Sequence, residues 1–221
     1  DSLYDAVNGV ERRTTDITDI TDDTERGEQV CGLQSVVSGL NVLWVGRMSK
    51  EKNLPLLIEA CASLRLSHFD FRLCLLGDGP EREALSNAEW VTMPGMVDDV
   101  HAYYAAADLF ILPSLTEGLP MALLEAGMAG LPALVSRVGE MPRIVEDSGG
   151  GWVVEPGDQD GLARVLQDAA QTPRDALRKK GDALRDYVEQ HYSVKKMADD
   201  YEQVYREALN HGKHGRHGRG N

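Results

Sequence analysis

The sequence predicts an α/β domain built on a doubly wound parallel sheet, a Rossmann-like fold, and three observations carry that expectation. Short runs rich in β-branched residues and leucine recur from residue 41 onward, apolar on both faces, as strands covered on both sides must be. Each is followed by a helix-like segment, the alternation that a parallel sheet with helical crossovers requires. Most glycines and the distinctive charges fall just after these runs, where the ligand crevice of such a sheet lies.

Taken in order, the first strand, NVLWVG at 41–46, runs into the loop GRMSKEKN and a helix at 53–66. The second, FRLCLLG at 71–77, meets GDGPE and a helix at 80–87. The third, EWVTMP at 89–94, meets PGMVDD and a helix at 98–107. DLFILP at 108–113 leads through PSLTEGLP to a helix at 120–129, and PALVS at 132–136 through SRVGEMP to one at 141–147. GWVV at 151–154 leads through EPGDQDG to a helix at 159–171, and helices at 174–190 and 194–209 close the series. Every run is bounded by the Gly, Pro and Asp that punctuate strands.

Composition fits one fairly large domain: 221 residues, 42% hydrophobic and 27% charged. The net charge of -13 argues against a nucleic-acid or anionic-membrane surface, which would need clustered Lys and Arg. Residues 1–30 hold nine acids against three basic residues. Their Thr-Asp-Ile repeats and acid-rich end bury too little apolar surface to offset the entropy of ordering, so this stretch reads as a linker. Cys31, Cys61 and Cys74 have no paired spacing, which fits a reducing, cytosolic setting and gives no metal framework. No apolar run is long enough to span a bilayer, and no cleavable leader opens the chain. Asp1 in place of Met is expected of a processed product or an excised fragment.

The stretch TEGLPMALLEAG at 116–127 carries the sharpest chemical signal. From Leu119 to Ala129 it is apolar or small all round except for Glu125, so a buried central helix is expected, with Glu125 turned into the crevice. Gly118 lets a ligand approach the backbone, and Pro120 suits the first helical position. The free amides of Met121 and its neighbours, with the helix dipole, suit an anion such as phosphate. Glu125, one and a half turns on, suits hydroxyls such as those of a ribose, and Glu117 could reach a sugar. The opposing reading makes Glu117 a solvated loop acid and Glu125 a surface charge. A second anion site favours the first: Gly46, Arg47 and Lys52 share the loop after the first strand, where Arg forks onto phosphate oxygens and Lys acts as a point charge. The opposing reading makes Arg47 and Lys52 a pair of surface cations, and Lys50 reads as one outright.

With these residues in place, the chain resembles the carboxyl-terminal, donor-binding domain of family 4, GT-B-fold, retaining glycosyltransferases. The resemblance covers 41 to about 210 and rests on VGRMSKEKN, matching a G-R-x4-K loop, LLGDGPE, PGMVDDVHAYYAAADLFILPS, the E-x7-E signature EGLPMALLE, and GLPALVSRVGEMPRIVEDSGGGWVVEPGD, all in order. It implies that Arg47 and Lys52 bind a donor diphosphate with backbone help from Gly118, Leu119, Met121 and Ala122. Glu125 would hold the ribose, and Glu117, the catalytic residue, would contact the donor sugar near the transferred carbon. Backbone near Met96 and Val97 would meet the base, Gly77 and Gly79 would leave room for the nucleotide, and Gly46 would belong to the same donor site. A nucleotide-diphosphate sugar would be transferred with retention and without a metal or other cofactor, since the cations and helix dipole stabilise the leaving diphosphate. Pro120 stands where the family often has Gly, and Ala129 where it often has Cys.

The resemblance also divides the chain. Residues 1–40 would be the end of an acceptor domain, recognisable in YDAVNGVERR, plus the acidic linker. Residues 41–190 would be the nucleotide-sugar domain, 191–210 a helix crossing back to the missing half, and 211–221 a disordered tail. The partner would be an amino-terminal acceptor domain, in cis or in trans, and the setting cytoplasmic or peripheral at the inner membrane face. The alternatives are a naturally separate donor-binding subunit and a non-catalytic nucleotide-binding module. Among the lures, Asp-Gln-Asp at 158–160 is expected to cap a helix rather than bind metal, GDGPE lacks the dinucleotide fingerprint, His101 is expected on a helix surface, and Tyr103 and Tyr104 are expected to pack or to line the crevice edge.

Overall fold

The computed structural model describes residues 39–66, 70–85 and 88–193, with isolated positions between 196 and 206. Six strands form one sheet: β1 Leu40–Val45, β2 Phe71–Leu76, β3 Val91–Gly95, β4 Leu109–Leu112, β5 Ala133–Ser136 and β6 Gly151–Val154. Their order is β3-β2-β1-β4-β5-β6, and every pair is parallel. All four residues of β4 and of β5 are buried, which is why these central runs are apolar without alternation.

The helices are α1 Leu54–Leu66, α2 His101–Ala106, α3 Met121–Met128, α4 Met141–Ser148, α5 Gln159–Gln171 and α6 Arg174–Tyr192. The chain winds outward from β1 to β3, then returns to β4 and winds the other way. Right-handed crossovers therefore place α1 and α3 on opposite faces of the sheet. α1 packs on α5, while α3 and α4 pack on α6. Gly127 lies in the α3–α6 contact, where a Cβ would come within 2.8 Å of Val188 Cγ2, so a mid-helix glycine is the condition for this close approach.

The expected strands are all present, and the sixth strand and the helix at 159–171 match residue for residue. The expected helix at 80–87 is not formed over its described residues, where only a 3-10 turn, Arg82–Ala84, is present. Tertiary bonds override the helical propensity of that run. Arg82 donates to the carbonyls of Gly77 and Met93 at 3.2 and 2.7 Å, and Glu81 N–H bonds to Met48 O at 3.0 Å. The third strand begins two residues later than expected. α2 begins three residues late, where Asp99 Oδ1 accepts the His101 N–H at 2.9 Å. Pro120 is the N-cap of α3 rather than its first residue. The expectations for 1–38, for most of the helix at 194–209 and for the tail at 211–221 lie outside the described residues.

Candidate functional site

Reversal of strand order at β1 and β4 opens a crevice at their carboxyl ends, and the two loops leaving these strands meet there. The loop after β1 holds a 3-10 turn, Lys50–Lys52, closed by Asn53 at φ 54°, ψ 39°, a left-handed conformation that asparagine tolerates. The loop after β4 is tied to it by Leu115 N–H donating to Glu51 O at 2.8 Å. Farther along, Glu140 N–H donates to Gly118 O at 3.0 Å, so Glu117 sits in backbone pinned on both sides.

That pinning brings together two of the expected site residues. Lys52 Nζ lies 2.6 Å from Glu117 Oε1, and the side chains are 18% and 9% exposed. The Ser114 hydroxyl donates to the same oxygen at 2.8 Å from a fully buried position. Gly139 closes in behind, with the place of a Cβ only 2.4 Å from the carbonyl oxygens of both Glu117 and Gly118. Gly118 itself has open space where its side chain would be, as a close-approach role requires.

Six more expected residues share one cavity. Gly46, Arg47, Gly77, Gly79, Met96 and Val97 line a space of about 560 Å³ with Val45, Leu76, Asp78, Gly95 and Val100. Its walls are mainly apolar, which suits a flat ring system, and Arg47 lies exposed at its edge. The glycines, however, do not enlarge it. A Cβ on Gly77, at φ +130°, would fall 1.9 Å from Gly46 O, and one on Gly79 would fall 2.3 Å from Met48 O. They are glycines because the loops after β1 and β2 pack backbone against backbone, and the cavity wall is the result.

Helix α3 corrects another expectation. It is not buried all round: Leu123, Leu124, Ala126 and Gly127 face the core, while Met121 is 64% exposed, and Glu125 and Met128 share the open side. The apolar run reflects an exposed methionine-bearing face rather than complete burial. Leu119 is likewise exposed, and Ala122 is partly buried. The amides of Met121 and Ala122 open the helix, where backbone N–H groups have no acceptor in the helix. Glu125 is held by the Tyr104 hydroxyl, which donates to Oε2 at 3.0 Å and lies 3.4 Å from Ala122 O. Burial, reinforced by the neighbouring carboxylate, pushes the Tyr104 phenol above the usual tyrosine range, so it stays a donor to Glu125 at any working pH.

Tyr104 is buried as expected, but its bond to Glu125 and the role of Ser114 depend on partners 21 and 3 residues away. A serine two residues past an all-apolar strand and three ahead of an acid is the available signal for the role of Ser114. Elsewhere on the rim, Asp158 accepts the Gly161 N–H at 2.9 Å and caps α5, as the sequence suggested. No group of three or more metal-ligating side chains occurs among the described residues, and no described helix is long and apolar enough to cross a membrane.

A six-stranded parallel sheet in this order, with polar groups gathered at its switch point, defines a Rossmann-like domain. The chain belongs to the family described as Glycosyl transferases group 1, which it matches over residues 39–172. It is 32% identical over 153 residues to the amylovoran biosynthesis glycosyltransferase AmsK of Erwinia amylovora, covering 62% of this chain and 38% of AmsK. Among solved structures, sucrose-phosphate synthase from Thermosynechococcus elongatus superposes with a TM-score of 0.73 at 24% identity, over 86% of this chain and 49% of the synthase. Anabaena HepE in complex with UDP and glucose gives 0.71 at 20% identity, over 84% and 52%. These structural likenesses establish the fold. The chain spans less than half the length of the curated relatives it matches.

Proposed function

We propose that this chain is the donor-binding half of a GT-B glycosyltransferase that takes a nucleotide-diphosphate sugar and transfers the sugar with retention at the anomeric carbon. The observation that carries the reading is the meeting of Lys52 and Glu117 at the switch point, on the rim that also bears the apolar cavity edged by Arg47. The nucleoside fills that cavity against Met96 and Val97, with Glu125 on the ribose hydroxyls. The pyrophosphate is held by Arg47, Lys52 and the opening amides of α3, an arrangement that favours the charge developing on the leaving diphosphate without a metal. Glu117 faces the donor sugar. The acceptor is held by an amino-terminal domain, in cis or in trans. UDP in the HepE complex and the glycosyltransferase names of the relatives support this assignment. The site also disfavours a non-catalytic module, which would have no use for Arg47, Lys52, Glu117 and Glu125 together.

The test is calorimetric titration of the chain with UDP, GDP and ADP, after a thermal-shift panel selects the base, since a ligand bound only by the folded state raises apparent stability. Arg47→Ala and Lys52→Ala each lower diphosphate affinity by about tenfold to a hundredfold, the range for charge-assisted bonds, and Glu125→Ala weakens nucleoside recognition. Unchanged affinity in all three variants would reject the site.

A further inference from the structure

Ser114 lies two residues past the end of β4 and is one of two buried polar side chains in the described core. Its hydroxyl and the Lys52 ammonium both donate to Glu117 Oε1, at 2.8 and 2.6 Å. Among the described bonds none uses Oε2, which is left for a ligand. Two donors on one oxygen fix the rotation of the carboxylate, and Glu117 needs this because it lies in a loop, outside any helix or strand.

The two donors differ in how far they can move. Lys52 carries a point charge on a flexible four-carbon stem, is 18% exposed, and can swing to another anion. Ser114 has a one-carbon side chain locked in the core and cannot follow. A pyrophosphate bears more negative charge than a single carboxylate and attracts the ammonium more strongly. Diphosphate binding therefore removes the charged partner of Glu117 at the stage when the direction of its carboxylate matters. Nothing else described on that side chain remains except the serine hydroxyl.

We infer that Ser114 is a positioning residue, which keeps the Glu117 carboxylate directed at the donor sugar after the diphosphate has drawn Lys52 away. The inference rests on the donor-site reading above. A purely structural serine, satisfied by Glu117 in the core, would make a different prediction, because its loss would loosen the domain without regard to which ligand is bound.

Calorimetry with the 221-residue chain separates these cases, using UDP against UDP-glucose and GDP against GDP-mannose, so that the ratio of the two Kd values reads the sugar alone. Ser114→Ala is expected to leave the diphosphate Kd within about twofold and to weaken the nucleotide sugar by about five- to tenfold, in the range for a lost bond to a charged group. In a Glu117→Ala background, which removes the acceptor, the same substitution should add nothing. Ser114→Cys, which keeps the volume with a weak donor, serves in place of the alanine variant if that fails to fold, and should fall between it and the wild type. Equal weakening of diphosphate and nucleotide sugar, or no weakening of either, overturns the inference and leaves the donor site standing. Absence of binding of all four probes to the wild-type chain overturns the donor-site reading and this inference with it.

Discussion

Both rims of the sheet carry an ion pair that joins residues distant in sequence, and the two pairs are built differently. At the amino rim Arg174 pairs with Asp108 and also donates to Gly39 O. Asp108 Oδ2 accepts the Asn41 N–H at 2.8 Å, while Asp108 N–H donates to Asn41 O at 2.8 Å. Each charge is thus also committed to backbone, which closes the start of β1 and β4 against α6. At the carboxyl rim Lys52 meets only the Glu117 carboxylate among described residues, and Glu117 concentrates its partners on one oxygen. The first pair is tied into the backbone at both of its charges. The second has capacity left over. A polar group that is over-supplied with backbone partners stabilises a structure, and one with donors or acceptors in reserve is available to a ligand.

Glycines offer the severest way to break this division, because each rim has one where a methyl group cannot fit. Gly77→Ala would put a Cβ 1.9 Å from Gly46 O at φ +130°, and Gly181→Ala would put one 1.8 Å from Gly130 O. Each should cost about 3 kcal/mol or more in urea unfolding, through overpacking and, at Gly77, added backbone strain. Their ligand effects should part: the folded Gly77→Ala fraction loses nucleotide binding with the wall of its cavity, whereas folded Gly181→Ala binds as the wild type does. Asp108→Ala comes next. It strands the Asn41 amide and the Arg174 guanidinium, for an expected loss of about 2 kcal/mol in stability with diphosphate affinity unchanged. A clear fall in affinity would show that the amino rim is not separate from the binding rim.

How much of this was legible follows the same line. The existence of the strands and the Asp158 cap were, because period, apolar run length and the chemistry of an acidic N-cap are local: β6, α5 and that cap fell where the pattern put them, while Pro120 proved a cap rather than a first helical residue. The loops after β1, β2 and β3 also collect on one rim, as residues after parallel strands do whatever their side chains are, and one cavity there is lined by Gly46, Arg47, Gly77, Gly79, Met96 and Val97. What the sequence could not show was pairing. The Lys52–Glu117 contact spans 65 positions, and no local rule links them. The run at 80–87 looked helical on propensity and was unmade by two bonds from Arg82 to carbonyls that only the folded sheet supplies. The all-apolar reading of α3 failed for a related reason, because methionine at an exposed position cannot be told from methionine in a core by periodicity alone.

Tyr104 sharpens the comparison because it belongs to both regions. It lines a second cavity of about 500 Å³ near Asn41, Asp108 and Arg174, while its hydroxyl reaches Glu125 on α3. Tyr104→Phe removes one oxygen and keeps the ring, which is 2% exposed and stacked at a tilt 6.1 Å from Phe110. Stability should change by less than about 1 kcal/mol, and nucleoside diphosphate affinity should fall by about threefold to fivefold as Glu125 loses its anchor. A large stability loss with intact affinity would assign the tyrosine to the amino rim alone.

The smallest effect tests whether the carboxyl rim is functional along its whole length. Asp158 stands after β6, on the same rim as Lys52 and Glu117 but at the edge of the sheet, and its carboxylate is occupied by the Gly161 amide at the start of α5. Oδ1 holds that backbone amide, as Asp108 Oδ2 holds the Asn41 amide, and Oδ2 lies 4.0 Å from Arg164. By the kind of partner it holds, a helix-opening backbone amide, it belongs with the structural group although its position suggests otherwise. Asp158→Ala should therefore cost about 1 kcal/mol, the usual value of an N-cap, and leave diphosphate affinity within twofold, as read by urea unfolding and calorimetry on one preparation. If affinity falls more than stability, then position on the rim, and not the state of each group's hydrogen bonds, decides which residues a nucleotide sugar meets.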